Sequence, residues 1–138
     1  MFKRILLATD GSEHSIRSAN HAIKLAEMFG GSIEVLYVVD SEKSKADVLH
    51  SLDKYEVKKD RKERITPVEY LIEKAGISYK SHILHGQPGP SIVEFANNND
   101  FDCVVVGSRG LNKLQTMILG SVSHKVAKRV ECPVLIVK

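Results

Sequence analysis

Four apolar runs constrain the fold of this chain more than any other feature of its sequence. The runs ILLA, IEVLYVV, CVVV and VLIV do not alternate regularly with polar residues. Unbroken strands of this kind are typical of a parallel sheet that is covered on both faces. A fifth run, GISYKSHILHG, alternates and is expected at a sheet edge. With helical segments between the runs, the pattern predicts an α/β fold built on an open, doubly wound parallel sheet of five strands.

The first helix has clear start and stop signals. Ser12 can cap a helix whose apolar residues recur at helical spacing up to Phe29, where Gly30 and Gly31 supply a left-handed stop. Short helices are also predicted after Pro88 and from 122 to 130, because apolar residues again recur every three or four positions.

The polar stretch from residue 40 to residue 76 is predicted to be mostly helical by propensity. Pro67 interrupts it, and Thr66 can cap a second helical piece that has proline in its first turn. Two helices, or one bent helix, fit this stretch equally. The run KKDRKER within it is expected to be a solvated helix face, because acidic residues interleave with the basic ones.

Length and charge exclude several classes of protein. The 138 residues are most simply one domain, spanning 1–138, and 20 Lys plus Arg against 17 Asp plus Glu is too balanced for a nucleic-acid-binding surface. Cys103 and Cys132 lack metal-ligand spacing and read as reduced thiols, and no metal site is predicted. No run suits a signal peptide or a membrane span, so the predicted location is the cytoplasm, away from membranes.

Two loops are the predicted places for a ligand. In doubly wound sheets, ligands lie beyond the carboxyl ends of the strands, where the strand order reverses. The corresponding loops here follow the first and fourth strands, at residues 8–12 and 107–121. The first carries the sequence TDGS, and the second carries an unusual spacing of glycines.

The second loop has the residue types that an anion needs. Gly107 and Gly110 follow a buried strand, and Gly120 with Ser121 opens a helix, where unpaired backbone N–H groups favour a phosphate. Arg109 adds a fixed positive charge, and the serines at 121 and 123 add hydroxyl donors. A plain turn followed by a capping serine explains the same residues about equally well. Neither a Walker loop nor a Rossmann G-x-G-x-x-G is present.

Taken together, these motifs resemble those of the universal stress protein family. The spacing G-x2-G-x9-G-S, with TDGS after the first strand, VLYVVD for the second and CPVLIV at the end, is similar to the family pattern over the whole chain. The resemblance implies a Rossmann-like domain, similar to the adenine nucleotide alpha hydrolases, with strand order 3-2-1-4-5. It also implies a homodimer and, in the subgroup that has these glycines, binding of ATP, with or without Mg²⁺.

The resemblance further implies which residues hold the nucleotide. Asp10 would reach adenine or ribose, with the rest of the site beside the nucleoside or around the phosphates. The site residues that it implies are Ala8, Thr9, Asp10, Val38, Gly107, Arg109, Gly110, Gly120, Ser121, Val122 and Ser123. Capping of the first helix is an equal alternative for Asp10, and plain core packing is the alternative for Val38. For the apolar residues from 111 to 119, three roles remain open: a lid over the phosphates, a partner interface and simple packing.

We expect a regulatory, stress-response module with little or no turnover of ATP. Hydrolysis needs a group that orients water, and the glycine loop carries no carboxylate for this task, so no catalytic residue is assigned. A slow ATPase, or a flavodoxin-like or receiver-like signalling domain, is the alternative. The final strand, Val134 to Val137, presents an apolar edge with no later segment to cover it, which predicts a homodimer.

Overall fold

The computed structural model describes residues 1–40, 54–108 and 120–138. Strands and helices alternate along these segments. The strands are β1 (Arg4–Thr9), β2 (Ser32–Asp40), β3 (Tyr79–Gly86), β4 (Cys103–Gly107) and β5 (Val134–Val137). The helices are α1 (Glu13–Phe29), α2 (Lys54–Lys74), α3 (Pro88–Asn98) and α4 (Ser121–Arg129).

All five strands form one parallel sheet in the order β3-β2-β1-β4-β5. The predicted fold class, strand number and strand order are therefore confirmed, as is the edge position of β3. Strand β1 pairs with β2 along one of its edges and with β4 along the other edge. The strand order thus reverses between β1 and β4, which is where a doubly wound sheet opens a crevice.

Helices cover both faces of the sheet, which explains the unbroken apolar strands. Leu7 and Val105 pack in a cluster with buried residues of α1 and α2. Their chain neighbours Leu6 and Val104 point the other way, into a cluster with Ile92 of α3 and with α4. Because successive residues in a strand face opposite sides, helices on both faces bury most positions of the central strands, including Leu6 and Leu7.

The predicted stop of α1 is confirmed at one of its two glycines. Gly30 adopts a left-handed conformation with φ 64°, and the Gly31 N–H donates to the Ala26 carbonyl at 2.9 Å. Gly31 itself is needed for close approach, because a Cβ at this position would lie 2.6 Å from the Phe2 carbonyl oxygen. The paired glycines therefore end the helix and let the chain turn against the start of β1.

Helix α2 is one continuous element with Pro67 inside it, so the second cap predicted at Thr66 is wrong. The Thr66 hydroxyl donates to the Lys62 carbonyl at 2.9 Å, one turn back in the same helix. Val68 and Ile72, which follow the proline, are fully buried against the sheet. Their burial holds the helix together across the hydrogen bond that proline cannot donate.

A polar chain crosses three strands at the amino end of the sheet. Glu34 on β2 accepts a hydrogen bond from Arg4 on β1 at 2.6 Å, and its other oxygen lies 2.9 Å from Nε2 of His82 on β3. The Arg4 guanidinium also lies 4.6 Å from the centre of the Phe101 ring. Burial raises the pKa of Glu34, but the hydrogen bonds from Arg4 and His82 outweigh it, so the net pKa is lowered.

We expect Glu34→Gln to reduce the free energy of unfolding by about 1 kcal/mol near neutral pH, because charge-assisted hydrogen bonds are lost. A lowered carboxyl pKa stabilises the fold above the unfolded value of about 4.3, and this contribution is lost as the pH falls through the folded pKa. Urea unfolding at about pH 7 and about pH 3 should show a gap between the wild type and the variant only at the higher pH.

Glu27→Gln, on the exposed face of α1, is the control for a carboxylate that is not in this chain of contacts. It should leave the unfolding free energy unchanged to within about 0.5 kcal/mol. A gap between Glu34→Gln and the wild type that is equally large at both pH values would contradict the electrostatic explanation.

Candidate functional site

The crevice between β1 and β4 brings the two predicted loops to the same end of the sheet. The last pairing between these strands joins Leu7 to Val105, so Thr9 and Gly107 lie level with each other two residues further on. The chain leaves β1 for α1 on one face, and α4 lies on the other face. Segments that diverge in this way leave an open space between them.

Ala8 and Val38 lie at the carboxyl ends of β1 and β2. Both side chains belong to the cluster under α3 and α4, and each is 7% exposed. Thr9 is equally buried and pairs with Tyr37 of β2, the residue before Val38. These three predicted residues are thus brought together by the sheet register, although their burial is also what core packing alone would give.

The TDGS loop is organised by two successive turns that side chains close. The Thr9 hydroxyl oxygen accepts from the Gly11 N–H at 3.3 Å, and the Asp10 carboxylate accepts from the Ser12 N–H at 3.0 Å. Gly11 between them has φ 79°, a conformation that glycine adopts without strain. Thr9, Asp10 and Gly11 are therefore needed to form the turns of this loop, with or without a ligand.

Ser12 occupies the N-cap position of α1, but its hydroxyl makes no capping hydrogen bond, so that part of the prediction is wrong. The side chain that organises the start of the helix is Asp10, which holds the Ser12 N–H from two residues earlier. Of the two roles weighed for Asp10, the one at the helix start is therefore present in the structure.

Ser15 is a residue at this site that the sequence analysis missed. Its hydroxyl donates to Asp10 Oδ1 at 3.0 Å and accepts from the Asp10 N–H at 3.4 Å. The side chain is only 6% exposed, on the first turn of α1. The sequence signal that could have indicated this contact is a serine on the buried face of the helix, five residues after an aspartate.

The two ends of the glycine segment meet directly. The Ser108 N–H donates to the Val137 carbonyl at 2.8 Å, and the Gly120 N–H donates to the Ser108 carbonyl at 3.3 Å. Gly107 and Gly120 are thus held at the same edge of the sheet, as the motif requires. Arg109, Gly110 and the apolar residues 111–119 lie outside the described residues, so their predicted roles stay predictions.

Helix α4 begins at the crevice. Its first intrahelical bond runs from the His124 N–H to the Gly120 carbonyl at 2.9 Å, so the backbone N–H groups of Ser121, Val122 and Ser123 precede the helical ladder. The Ser123 side chain is 2% exposed and its hydroxyl donates to the Gly120 carbonyl at 3.0 Å. At Ser123, an anion would therefore meet the backbone N–H and not the hydroxyl, which is already engaged. Ser121, by contrast, is exposed.

Gly120 has no need to be glycine for the sake of the described fold. Its φ of −63° and ψ of 163° are open to any residue. A Cβ at this position would lie 3.4 Å from the Ser108 carbonyl oxygen and 3.9 Å from Ser123 Oγ, which are ordinary contacts. Within the described part of the chain, space is left in front of the α4 N-terminus, as the close approach of a ligand would require.

Helix α2 contributes basic residues to the same end of the sheet. The Arg64 side-chain stem would lie 3.0 to 3.4 Å from a Cβ on Gly11, and Arg61 Nη1 lies 2.6 Å from His85 Nε2 at the end of β3. The run KKDRKER was expected to be a solvated face. Residues 62–64 of the run are exposed, in agreement with that prediction. In addition, Arg61 and Arg64 lie beside His85 and Gly11, a tertiary contact that helical periodicity does not reveal.

Other chemistry finds little support in the described residues. Among residues 1–40, 54–108 and 120–138, no three His, Cys, Asp or Glu side chains gather as a metal site. Burial raises the pKa of Cys103 to about 11, so its thiol is a poor nucleophile. In the same part of the chain, no helix is both long and apolar enough to span a membrane.

Comparison with known sequences gives a consistent result over the full length. The model of the universal stress protein family matches residues 1–138. Universal stress protein MJ0531 of Methanocaldococcus jannaschii is 35% identical over 100% of this chain and 83% of its own length. Universal stress protein YxiE of Bacillus subtilis is 33% identical, with both chains covered completely.

Solved structures agree with these relatives. The structure of MJ0577 superposes with a TM-score of 0.85 at 30% identity, covering 100% of this chain and 96% of the other. A universal stress protein in complex with cAMP gives 0.76 at 24% identity, covering 99% and 97%. One from Archaeoglobus fulgidus in complex with dAMP gives 0.74 at 22% identity, with both chains covered completely. With the family model and the curated relatives, these likenesses show that the chain belongs to the universal stress protein family.

Proposed function

We propose that this chain is a stress-response protein that binds ATP in the crevice between β1 and β4. The observation that carries the proposal is Gly120, a glycine that its own backbone conformation does not require, set in front of the first N–H groups of α4. Glycine there lets phosphoryl oxygens approach those groups and the positive end of the helix.

The proposed position of the nucleotide follows the two loops. Asp10 accepts a hydrogen bond from ribose or adenine, and Ala8, Thr9 and Val38 flank the nucleoside. The phosphates are wrapped by the two ends of the glycine segment, namely Gly107, Arg109, Gly110, Gly120, Ser121, Val122 and Ser123. The hydrogen bond from Gly120 to Ser108 supports this arrangement, because it holds both ends beside the crevice.

Two proteins of the same fold support the ligand class. The universal stress proteins in complex with cAMP and with dAMP each hold an adenine nucleotide. Their likeness to this chain is one of fold, at 24% and 22% identity, so the choice of ATP rests on the glycine spacing and on the family.

Gly120→Val should abolish or strongly reduce ATP binding, because the side chain fills the space that the phosphates need. The backbone conformation at 120 allows valine and a Cβ there makes only ordinary contacts, so the fold should persist. Extraction of nucleotide from the purified protein, followed by calorimetric titration with ATP, ADP and FMN, measures the effect.

Gly76→Ala is the matched control. Gly76 has a left-handed φ of 73° and precedes β3, at the opposite end of the sheet. Alanine there costs about 1 kcal/mol of stability and should leave ATP affinity unchanged. Equal ATP binding by the wild type and Gly120→Val would contradict the proposed site, and preferential binding of FMN would favour a flavodoxin-like function.

We propose that turnover is slow or absent, so that the nucleotide acts as a signal rather than as a substrate. Asp10 is the carboxylate directly after β1, and its Oδ1 already accepts hydrogen bonds from Ser12 and Ser15. It supports the loop rather than standing ready to orient water. A slow ATPase is the second candidate, and steady release of ADP that Gly120→Val abolishes would favour it.

We also propose a homodimer that forms through the outer edge of β5. Among the described strands, β5 pairs with β4 alone. The carbonyls of Pro133 and Val137 accept from β4, so by alternation the N–H and C=O groups of Val134 and Ile136 point outward. An apolar edge whose outward groups have no partner among the described strands readily pairs with a second copy of the chain.

Ile136→Pro should convert the dimer to a monomer, because it removes an outward N–H while leaving the hydrogen bonds to β4 in place. Sedimentation velocity at micromolar concentration measures the change. Circular dichroism and the Gly120-dependent binding of ATP serve as controls for folding. A wild-type chain that sediments as a monomer at this concentration would overturn the proposed dimer.

A further inference from the structure

We infer that Ser15 is a positioning residue for the nucleoside end of the site: it fixes the Asp10 carboxylate so that the pocket selects ligands that donate a hydrogen bond there. The inference rests on the proposed function and adds a determinant of specificity to it. It starts from the reciprocal hydrogen bonds between the Ser15 hydroxyl and both the carboxylate and the N–H of Asp10.

Ser15 behaves unlike the next buried serine on the same helix. The Ser18 hydroxyl, 1% exposed, donates to the His14 carbonyl one turn back, which is a common partner for a serine inside a helix. The Ser15 hydroxyl instead leaves its helix and reaches the residue that follows β1. Two buried serines of the same helix, Ser15 in its first turn and Ser18 one turn further along, therefore differ in whether they contact the site.

The consequence is a carboxylate with a defined orientation. Asp10 Oδ1 receives hydrogen bonds of 3.0 Å from both the Ser12 N–H and the Ser15 hydroxyl. The Ser12 bond closes a local turn, whereas the Ser15 bond ties the side chain to α1, which packs on the sheet. A carboxylate held from two directions loses little conformational entropy when a ligand binds.

An ionised carboxylate only accepts hydrogen bonds. The ligand group that it recognises must therefore be a donor, which in an adenine nucleotide is a ribose hydroxyl or the amino group of the base. The phosphate-facing N–H groups of α4 lie on the other face of the sheet from α1. Ser15 should consequently affect recognition of the nucleoside and leave the phosphate contacts unchanged.

The test compares ATP with two analogues, 2′,3′-dideoxy-ATP, which lacks the ribose donors, and purine riboside triphosphate, which lacks the amino donor. Ser15→Ala should weaken ATP binding roughly fivefold and reduce the preference for ATP over one analogue by a similar factor. Affinity for the analogue that lacks the recognised donor should stay the same. Ser18→Ala, at another buried serine of the same helix, should change neither affinity nor preference.

A second measurement separates positioning from a loss of fold. If Ser15 acts through Asp10, Ser15→Ala should have no further effect on ATP affinity in an Asp10→Ala background. Ser15→Thr, which keeps the hydroxyl, should restore the preference. Equal weakening of all three nucleotides by Ser15→Ala, or additive effects in the double variant, would overturn the inference.

A wild type that binds none of the three nucleotides overturns the proposed function as well. Wild-type binding that Ser15→Ala leaves unchanged overturns the inference alone.

Discussion

Burial of the central strands on both faces is the constraint on which the rest of the structure depends. Because Leu6 and Leu7 of β1 point into different clusters, helices must lie on both sides of the sheet. Parallel strands require helical crossovers, so these helices are also the connections. To place helices on both faces, the chain adds β2 and β3 on one side of β1 and then β4 and β5 on the other side. The crevice between β1 and β4 results from this change of side.

The two loops at that crevice are built differently. The loop after β1 closes on itself through the side chains of Thr9, Asp10 and Ser15, which satisfy its backbone and fix its carboxylate. The segment after β4 is held at its two ends by one backbone hydrogen bond, from Gly120 to Ser108, in front of a helix N-terminus. One side of the crevice offers an oriented acceptor and the other offers backbone donors, an arrangement that suits the nucleotide that we propose.

Sequence reasoning succeeded where a residue's role is set by its near neighbours. Periodicity and local conformation predict the five strands, the position of β3 at the edge of the sheet and the left-handed stop at Gly30. It failed where a contact arises between distant segments. The sequence left open whether Pro67 divides its segment, which burial of Val68 and Ile72 keeps as one helix. It also gave no sign that the exposed Arg64 lies beside Gly11.

The sequence by itself determined the α/β class, the two loops in which we propose the site and the family to which the chain belongs, because apolar periodicity and glycine spacing are local properties. Only the tertiary structure decided which hydroxyl holds Asp10 and whether Gly120 is required by the backbone. Ser12 was the predicted capping residue, yet the geometry of α1 against β1 gives the side-chain contact with Asp10 to Ser15. Hydrogen bonds depend on direction and on fractions of an ångström, and these are fixed only when the helix packs on the sheet.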